Sequence, residues 1–326
     1  MTRSAVLARV IRSGVEEATH VGHVAVCDAD GKLVAVAGDP DREVFARSCL
    51  KPLQTAVALQ LIDEELTDRE IAVMSSSHNA EPVHLRAVHA VLQRAGLTTA
   101  SLRCPPAWPL DPDTMAKSGR RRRELHDCSG KHAGMLLACV CAGYERATYL
   151  ARSHPLQRRI RRATLAALDR EDTQVGVDGC GAPIFAGAVR DWATLFARLG
   201  EPERLGSVAE GAETAVGAML AEPYLVGGRG RLDTDVMSVT GTVMVKEGAE
   251  ALTCAAIPEL GLGIAVRAED GGDRAVGPAL IRALRDLGAI TRLEATDLRD
   301  HARPVVLGGG RPVGEVLSDL SLRRPR

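Results

Sequence analysis

The chain has 326 residues, a hydrophobic fraction of 45% and a charged fraction of 25%, which is the composition of an ordinary globular protein. Its formal net charge of -1 gives no long-range attraction to nucleic acid or to an anionic membrane. No apolar stretch reaches the roughly 20 residues that a bilayer span needs, and the N-terminal residues lack the apolar block of a secretory signal. We therefore expect a cytoplasmic protein with a small-molecule substrate and with no nucleic-acid or membrane partner.

The elements predicted from hydrophobic periodicity and turn signals begin with a hairpin of two strands, at 23–28 and 33–38, around a turn at 29–32. A helix follows from Ser48, because Pro52 is acceptable only in a first turn. The remaining predictions are strands at 71–74, 175–178, 237–240, 242–245 and 264–266, and helices at 82–94, 131–141, 158–168 and 275–287.

Strands therefore lie near both ends of the chain, with mainly helical sequence between them. This order predicts an α+β fold, in which an antiparallel sheet is assembled from N- and C-terminal strands and accompanied by a helical region. We expect a single catalytic unit over residues 1–326, with a mainly helical central region at about 80–170 and a smaller subdomain.

Lysine is scarce, since only five of the 41 Lys and Arg residues are lysine. An arginine keeps its proton in any protein environment, whereas a buried lysine can lose it, so a retained lysine is a candidate for chemistry. Three of the five lie in compact motifs that are rich in small and hydroxyl residues: Lys51, Lys131 and Lys246. The eight cysteines are scattered without a dense framework, which favours reduced thiols over disulfides.

The first of these motifs is Ser48-x-x-Lys51. At a spacing of three residues on a helix, the hydroxyl and the amine project from the same face. Burial would favour the neutral amine, which can accept the proton of the serine as the serine attacks a substrate. The alternative is a serine that caps a helix, followed by a lysine on the surface.

Two further segments complete a pattern known from acyl-serine enzymes with an S-x-x-K nucleophile. Those enzymes also carry a hydroxyl-x-Asn element and a strand with K-x-G, in that chain order. Here Ser77-His78-Asn79 and Lys246-Glu247-Gly248 take these places, each after an apolar run. Ser77 and Lys246 are therefore predicted as a second catalytic pair, with a solvated cation at a strand end as the alternative for Lys246.

A third group of residues could bind a metal ion or the substrate. Cys128 and Lys131 lie in a CSGKH segment, and Cys180 lies between two glycines. Thiolates with a nitrogen ligand suit zinc, whereas the packing of small residues also explains the glycines. The predicted substrate contacts are polar residues next to these motifs: Arg47 for a carboxylate, Glu81 and Asp178 for an ammonium group, and His78 and Asn79 beside Ser77.

Five segments together resemble the thermolabile-type, class 3 L-asparaginase family (asparaginase II). They occur in order through most of the chain: RSCLKPLQ at 47–54, SHNAEP at 77–82, CSGKHAGM at 128–135, DGCGAP at 178–183 and KEGAE at 246–250. The resemblance implies a fold related to serine β-lactamases, penicillin-binding proteins and glutaminases, and it also implies a homodimer.

The resemblance further implies hydrolysis of L-asparagine to L-aspartate and ammonia through two Ser–Lys pairs. It implies a zinc ion on the residues that match Cys128, Lys131 and Cys180. Two departures stand out, because Asp127 replaces the usual asparagine and Arg267 lies where relatives carry lysine. The alternatives are an acyl-serine amidohydrolase of another amide, such as a glutaminase or a β-lactam-type enzyme, and a catalytically silent, zinc-stabilised dimer.

Overall fold

The computed structural model describes residues 4–325, which divide into two compact units. The first unit contains the chain up to Cys49, the segment Gly187–Glu201 and the chain from Asp235 onward. The second unit contains Leu50–Ala186 and Pro202–Thr234.

The strands, in chain order, are β1 Ala5–Arg12, β2 Val15–Asp28, β3 Leu33–Ala37, β4 Glu43–Phe45, β5 Val175–Val177, β6 Pro183–Ala188, β7 Met244–Gly248, β8 Leu252–Ile257, β9 Leu262–Ala268, β10 Val305–Gly308 and β11 Arg311–Ser318. The α-helices are α1 Lys51–Leu59, α2 Asp68–Met74, α3 Pro82–Arg94, α4 Pro112–Ser118, α5 Ser129–Cys141, α6 Pro155–Ala167, α7 Val189–Gly200, α8 Ala209–Ala221, α9 Pro223–Val226, α10 Leu232–Thr240, α11 Val276–Asp286, α12 Arg292–Asp297 and α13 Arg299–Ala302.

The first unit is built on an antiparallel sheet in the order β10-β11-β1-β2-β9-β8-β7, and β3 also pairs with β2. Helix α7 packs on β2, β8 and β9, and helix α11 packs on β1, β9 and β11. The sheet thus joins strands from the two ends of the chain, and the predicted α+β class is confirmed. Aliphatic side chains such as Val24, Val26 and Ile264 fill its core, as expected for a chain with 2% aromatic residues.

The second unit is mainly helical. Helix α5 packs against α1, α2 and α3, while α8 packs against α1 and α2. Strands β5 and β6 form an antiparallel pair. None of the helices in the part of the chain described here is long and apolar enough to span a bilayer.

Most of the predicted elements are confirmed, including the hairpin of β2 and β3 and the helix at 82–94. The strand predicted at 71–74 is wrong, because these residues form the end of α2. That helix is preceded by its N-cap residue Thr67, whose side chain forms a capping box with Glu70. The strand predicted at 237–240 is also wrong and belongs to α10. The run at 71–74 is apolar, whereas Met237-Ser238-Val239-Thr240 alternates apolar and hydroxyl residues, and periodicity over four residues cannot separate a helix from a strand.

Candidate active site

Lys51 is the first residue of α1 and contacts Ser77 directly. Its side chain is 0% exposed, and its Nζ donates hydrogen bonds to Ser77 Oγ at 2.8 Å and to Ser76 O at 2.5 Å. Burial places a lysine amine and a serine hydroxyl in one polar contact that is shielded from water. This is the geometry in which a neutral amine can accept a serine proton.

The segment after α2 is fixed in place by backbone hydrogen bonds on both sides. The amides of Ser77 and Asn79 donate to Val226 O and Gly227 O, each at 2.8 Å. His78 is fully buried, and both of its ring nitrogens are engaged: Nδ1 accepts from the Ala80 amide at 3.0 Å, and Nε2 lies 2.9 Å from Ser129 Oγ. Burial lowers the pKa of His78, so the ring is neutral and its two nitrogens take part in these hydrogen bonds.

Asn79 and Glu81 contact the loop at 227–231. Asn79 Nδ2 donates to Arg229 O at 3.1 Å, while the two carboxylate oxygens of Glu81 accept from Tyr224 Oη at 2.6 Å and from the Arg229 amide at 3.1 Å. Both side chains are buried. Gly228 makes room for them, because a Cβ there would lie 2.6 Å from Glu81 Oε1. The two residues therefore fix the loop against the Ser77 segment.

Asp127 connects the Lys51 amine to the cysteine motif. Its Oδ2 lies 3.9 Å from Lys51 Nζ and 3.5 Å from Cys128 Sγ, while Oδ1 lies 2.8 Å from His126 Nδ1. Against the effect of burial, the hydrogen bond with His126 lowers the pKa of Asp127 well below its usual range. Burial lowers the pKa of His126, but the hydrogen bond with Asp127 outweighs it and raises that pKa to about 9. The pair is therefore an ion pair at neutral pH.

Two thiols and a carboxylate form a compact cluster of candidate metal ligands. The ligand atoms of Cys128, Asp178 and Cys180 all lie within 4.8 Å of one another. Lys131 Nζ is 3.1 Å from Cys180 Sγ and 3.9 Å from Asp178 Oδ2. The hydrogen bond from Cys128 lowers the pKa of the Cys180 thiol to about 6 against the effect of burial, and the Lys131 ammonium adds to this. A soft anion with nitrogen and oxygen donors beside it fits the ligand chemistry of zinc.

The glycine of the CSGKH segment has a packing role. A Cβ at Gly130 would lie 2.0 Å from Val73 O, so only glycine lets α5 approach the end of α2 this closely. That approach brings the start of α5, with Cys128 and Lys131, next to the helix that leads into Ser77. The small residue in the motif thus serves the geometry of the site.

In the first unit, Ser48 lies in a 3-10 turn, Arg47–Leu50. Arg47 has a left-handed backbone with φ of 48°, an uncommon conformation for a residue with a side chain. Cys49 Sγ approaches Lys246 O at 3.2 Å, which joins this turn to β7. Lys246 itself is fully buried, and its Nζ donates to Glu247 O at 2.9 Å.

The second unit thus brings together most of the predicted site residues: Lys51, Ser77, His78, Asn79, Glu81, Cys128, Lys131, Asp178 and Cys180. Arg47, Ser48 and Lys246 belong to the first unit. Sequence reasoning missed His126, whose contacts are with its neighbours in the chain, and it missed Tyr224 and the backbone of Arg229, which reach Glu81 by long-range packing. Asp127 was noticed only as a departure from the expected asparagine.

A comparison over nearly the whole chain identifies its family. A family model described as L-asparaginase II matches residues 8–318, which makes the protein an amidohydrolase. The chain belongs to the L-asparaginase II family. Among curated proteins, none matches the chain in sequence.

The solved structures that are similar to the chain are distant from it. A β-lactamase (Mb2281c) from Mycobacterium bovis is 17% identical with a TM-score of 0.44, over 82% of this chain and 95% of that one. A probable glutaminase from Bacillus subtilis, complexed with 6-diazo-5-oxo-L-norleucine, is 15% identical with a TM-score of 0.36, over 82% and 84%. Mglu in its native form is 16% identical with a TM-score of 0.36, over 82% of this chain and 61% of that one. TM-scores this low transfer no residue role or substrate.

Proposed function

We propose that the protein hydrolyses the side-chain amide of L-asparagine to L-aspartate and ammonia through a serine activated by Lys51. The observation that carries this proposal is the buried hydrogen bond of 2.8 Å between Lys51 Nζ and Ser77 Oγ. Membership of the L-asparaginase II family supports the choice of substrate. The match of residues 8–318 leaves the choice between asparagine and glutamine to experiment.

The proposed reaction has two halves. The serine oxygen attacks the amide carbon while its proton moves to the neutral amine of Lys51, and the resulting ammonium returns that proton to the departing ammonia. A water molecule then cleaves the acyl-serine ester, again with Lys51 taking and returning a proton, and L-aspartate leaves. The sequence motifs predicted Ser48 as the nucleophile with Lys51 as its base, and they predicted Ser77 and Lys246 as a second pair. The contact with Lys51 favours Ser77 as the nucleophile.

We also propose that Cys128, Lys131 and Cys180 bind zinc, with Asp178 as a further donor. Bound zinc would act as a Lewis acid and hold the start of α5 in place. Burial lowers the pKa of Lys131, but the charges of Cys180 and Cys128 outweigh it and raise that pKa above its ordinary value. Lys131 must therefore give up a proton to become a ligand. A homodimer and cytoplasmic residence remain predictions from the resemblance and the composition.

The test is ammonia release from L-asparagine and L-glutamine by the wild type and by Ser77→Ala, Ser48→Ala and Ser76→Ala. Ser76→Ala is a matched control, because the Ser76 hydroxyl donates to Val73 O and Lys51 contacts only its backbone carbonyl. We expect asparagine to be the better substrate, Ser77→Ala to lose activity by at least a hundredfold, and Ser76→Ala to retain it. Full activity in both Ser77→Ala and Ser48→Ala would end the proposal, and a preference for glutamine would change the substrate.

A further inference from the structure

The first unit contains a cavity of about 230 Å³, and its lining includes Arg47, for which the sequence predicted a contact with a carboxylate. Its volume is that of about eight water molecules, which suits a small organic ion. The residues around it are strongly charged, and those that matter here are His23, Arg42, Arg47, Glu250, Arg267 and Glu269.

Strand register places two of these residues side by side on the face of the sheet that also carries Lys246. His23 on β2 pairs directly with Arg267 on β9, and Arg267 pairs with Leu252 on β8. Leu252 in turn pairs with Gly248, two residues after Lys246 on β7. Residues paired across strands share a face, and so do residues two apart along a strand. Two strand spacings and two residue steps put the Cα atoms of Arg267 and Lys246 about 12 Å apart.

Two donors at this cavity have no acceptor anywhere in residues 4–325: His23 Nε2 and Arg267 Nη1. His23 is 3% exposed, and its Nδ1 accepts a hydrogen bond from the Asp39 amide at 3.0 Å. Burial lowers the pKa of His23, so the ring is neutral and its single N–H must be on Nε2. A buried donor without an acceptor costs free energy in a folded protein. An anionic ligand would recover that cost.

The charges around the cavity come in both signs. Arg42, Arg47 and Arg267 are cationic, and burial lowers the pKa of Arg267, which shows that its guanidinium is partly deprived of water. Glu250 and Glu269 also line the cavity, and a Glu250 carboxylate oxygen lies 3.7 Å from Arg47 Nη1. A simple anion would be attracted only by the arginines of this lining, whereas a zwitterion can pair its carboxylate with the arginines and its ammonium group with the glutamates.

We propose that this cavity binds a free α-amino acid, with its carboxylate toward Arg267 and His23 and its ammonium group toward the glutamates. The location supports this assignment, since Arg47 directly precedes Ser48 in the chain and Lys246 lies on the same sheet face. The identification of the amino acid as L-asparagine or its product L-aspartate rests on the proposed function. The binding itself does not depend on turnover.

The test measures the binding of L-aspartate and succinate to the full chain by calorimetry, in the wild type and in Arg267→Met, Arg267→Lys and Arg311→Met. Arg311→Met is the control, because this exposed arginine starts β11 and does not line the cavity. We expect L-aspartate to bind more tightly than succinate. Arg267→Met should lower the affinity for L-aspartate ten- to hundredfold. Arg267→Lys should restore part of that loss, and Arg311→Met should bind as the wild type does.

A thermal scan without ligand separates binding from structure. Because Arg267 Nη1 has no acceptor, its removal should leave the melting temperature unchanged or higher. Equal L-aspartate affinity in the wild type and Arg267→Met, or no binding to the wild type, would overturn the proposal. Succinate binding as tightly as L-aspartate would overturn the assignment to an amino acid. If the enzyme still releases ammonia at an undiminished rate when one of these results is found, the proposed function stands and only this inference is refuted.

Discussion

The substitution Lys51→Met removes the proposed base and keeps an unbranched side chain of similar length. A positioned general base contributes about 10²–10⁴ in rate, so kcat/KM for asparagine should fall by that factor. At about 1.4 kcal/mol for each factor of ten, this is a loss of about 3–6 kcal/mol in transition-state stabilisation. The activity effect should therefore be large and should appear in kcat.

Stability should change far less. The variant leaves Ser76 O and Ser77 Oγ without their donor, at about 1–3 kcal/mol each, but it also ends the burial of a polar amine, which carries a desolvation cost of the same order. These effects oppose each other, so we expect the free energy of unfolding to stay within about 2 kcal/mol of the wild type. The assays are ammonia release and urea unfolding, with Lys32→Met as a control because Lys32 is exposed in a turn. A folded Lys51→Met enzyme within fivefold of wild-type activity would refute the reasoning.

Three further predictions concern the surroundings of the site. In metal-free protein, the ion pair of His126 with Asp127 should contribute about 3 kcal/mol of stability below pH 6.5, because the pKa of His126 is raised to about 9. This contribution is lost as the pH rises through 9. Urea unfolding should show that loss in the wild type and should not show it in His126→Gln. Cys180→Ser should lower the affinity for zinc at least tenfold, measured by competition with a chelator. In the wild type the zinc affinity should rise with pH, because binding releases protons. Equal zinc affinities in the wild type and Cys180→Ser would contradict the ligand set. Gly130→Ala should cost about 2–4 kcal/mol because its Cβ would lie 2.0 Å from a carbonyl, whereas Gly217→Ala, whose Cβ meets nothing within 4 Å, should be neutral or stabilising in the same unfolding assay.

The sequence predicted the fold class because local signals agreed with the final structure. The hairpin of β2 and β3 has a turn that contains Asp30-Gly31, and the helix at 82–94 starts with a proline in its first turn. The errors at 71–74 and 237–240 fall on runs of four residues, where the deciding information lies outside the run: a capping box at Thr67 for one, and the start of α10 at Leu232 for the other. Whether the chain acts as a single catalytic unit stays a prediction.

The candidate site could be predicted as a set of residue types but not as a set of contacts. Motif order singled out Lys51 and Ser77, yet it paired each of them with a different partner. The hydrogen bond between them depends on the packing of α1 beside the end of α2, which no local pattern encodes. In the same way, Tyr224 reaches Glu81 across 143 positions of sequence. Long-range packing also explains why His23 carried no signal in the sequence and why Arg267 stood out there only as a departure from the lysine of relatives.

The most direct test of the central claim is to identify the residue that becomes acylated. L-Asparagine is mixed with the enzyme and quenched within one turnover, and the adduct is located by mass spectrometry of the digested peptides. We predict one aspartyl ester on Ser77 in the wild type and none in Lys51→Met. An adduct on Ser48, or rapid ammonia release with no ester on any residue, would contradict the account.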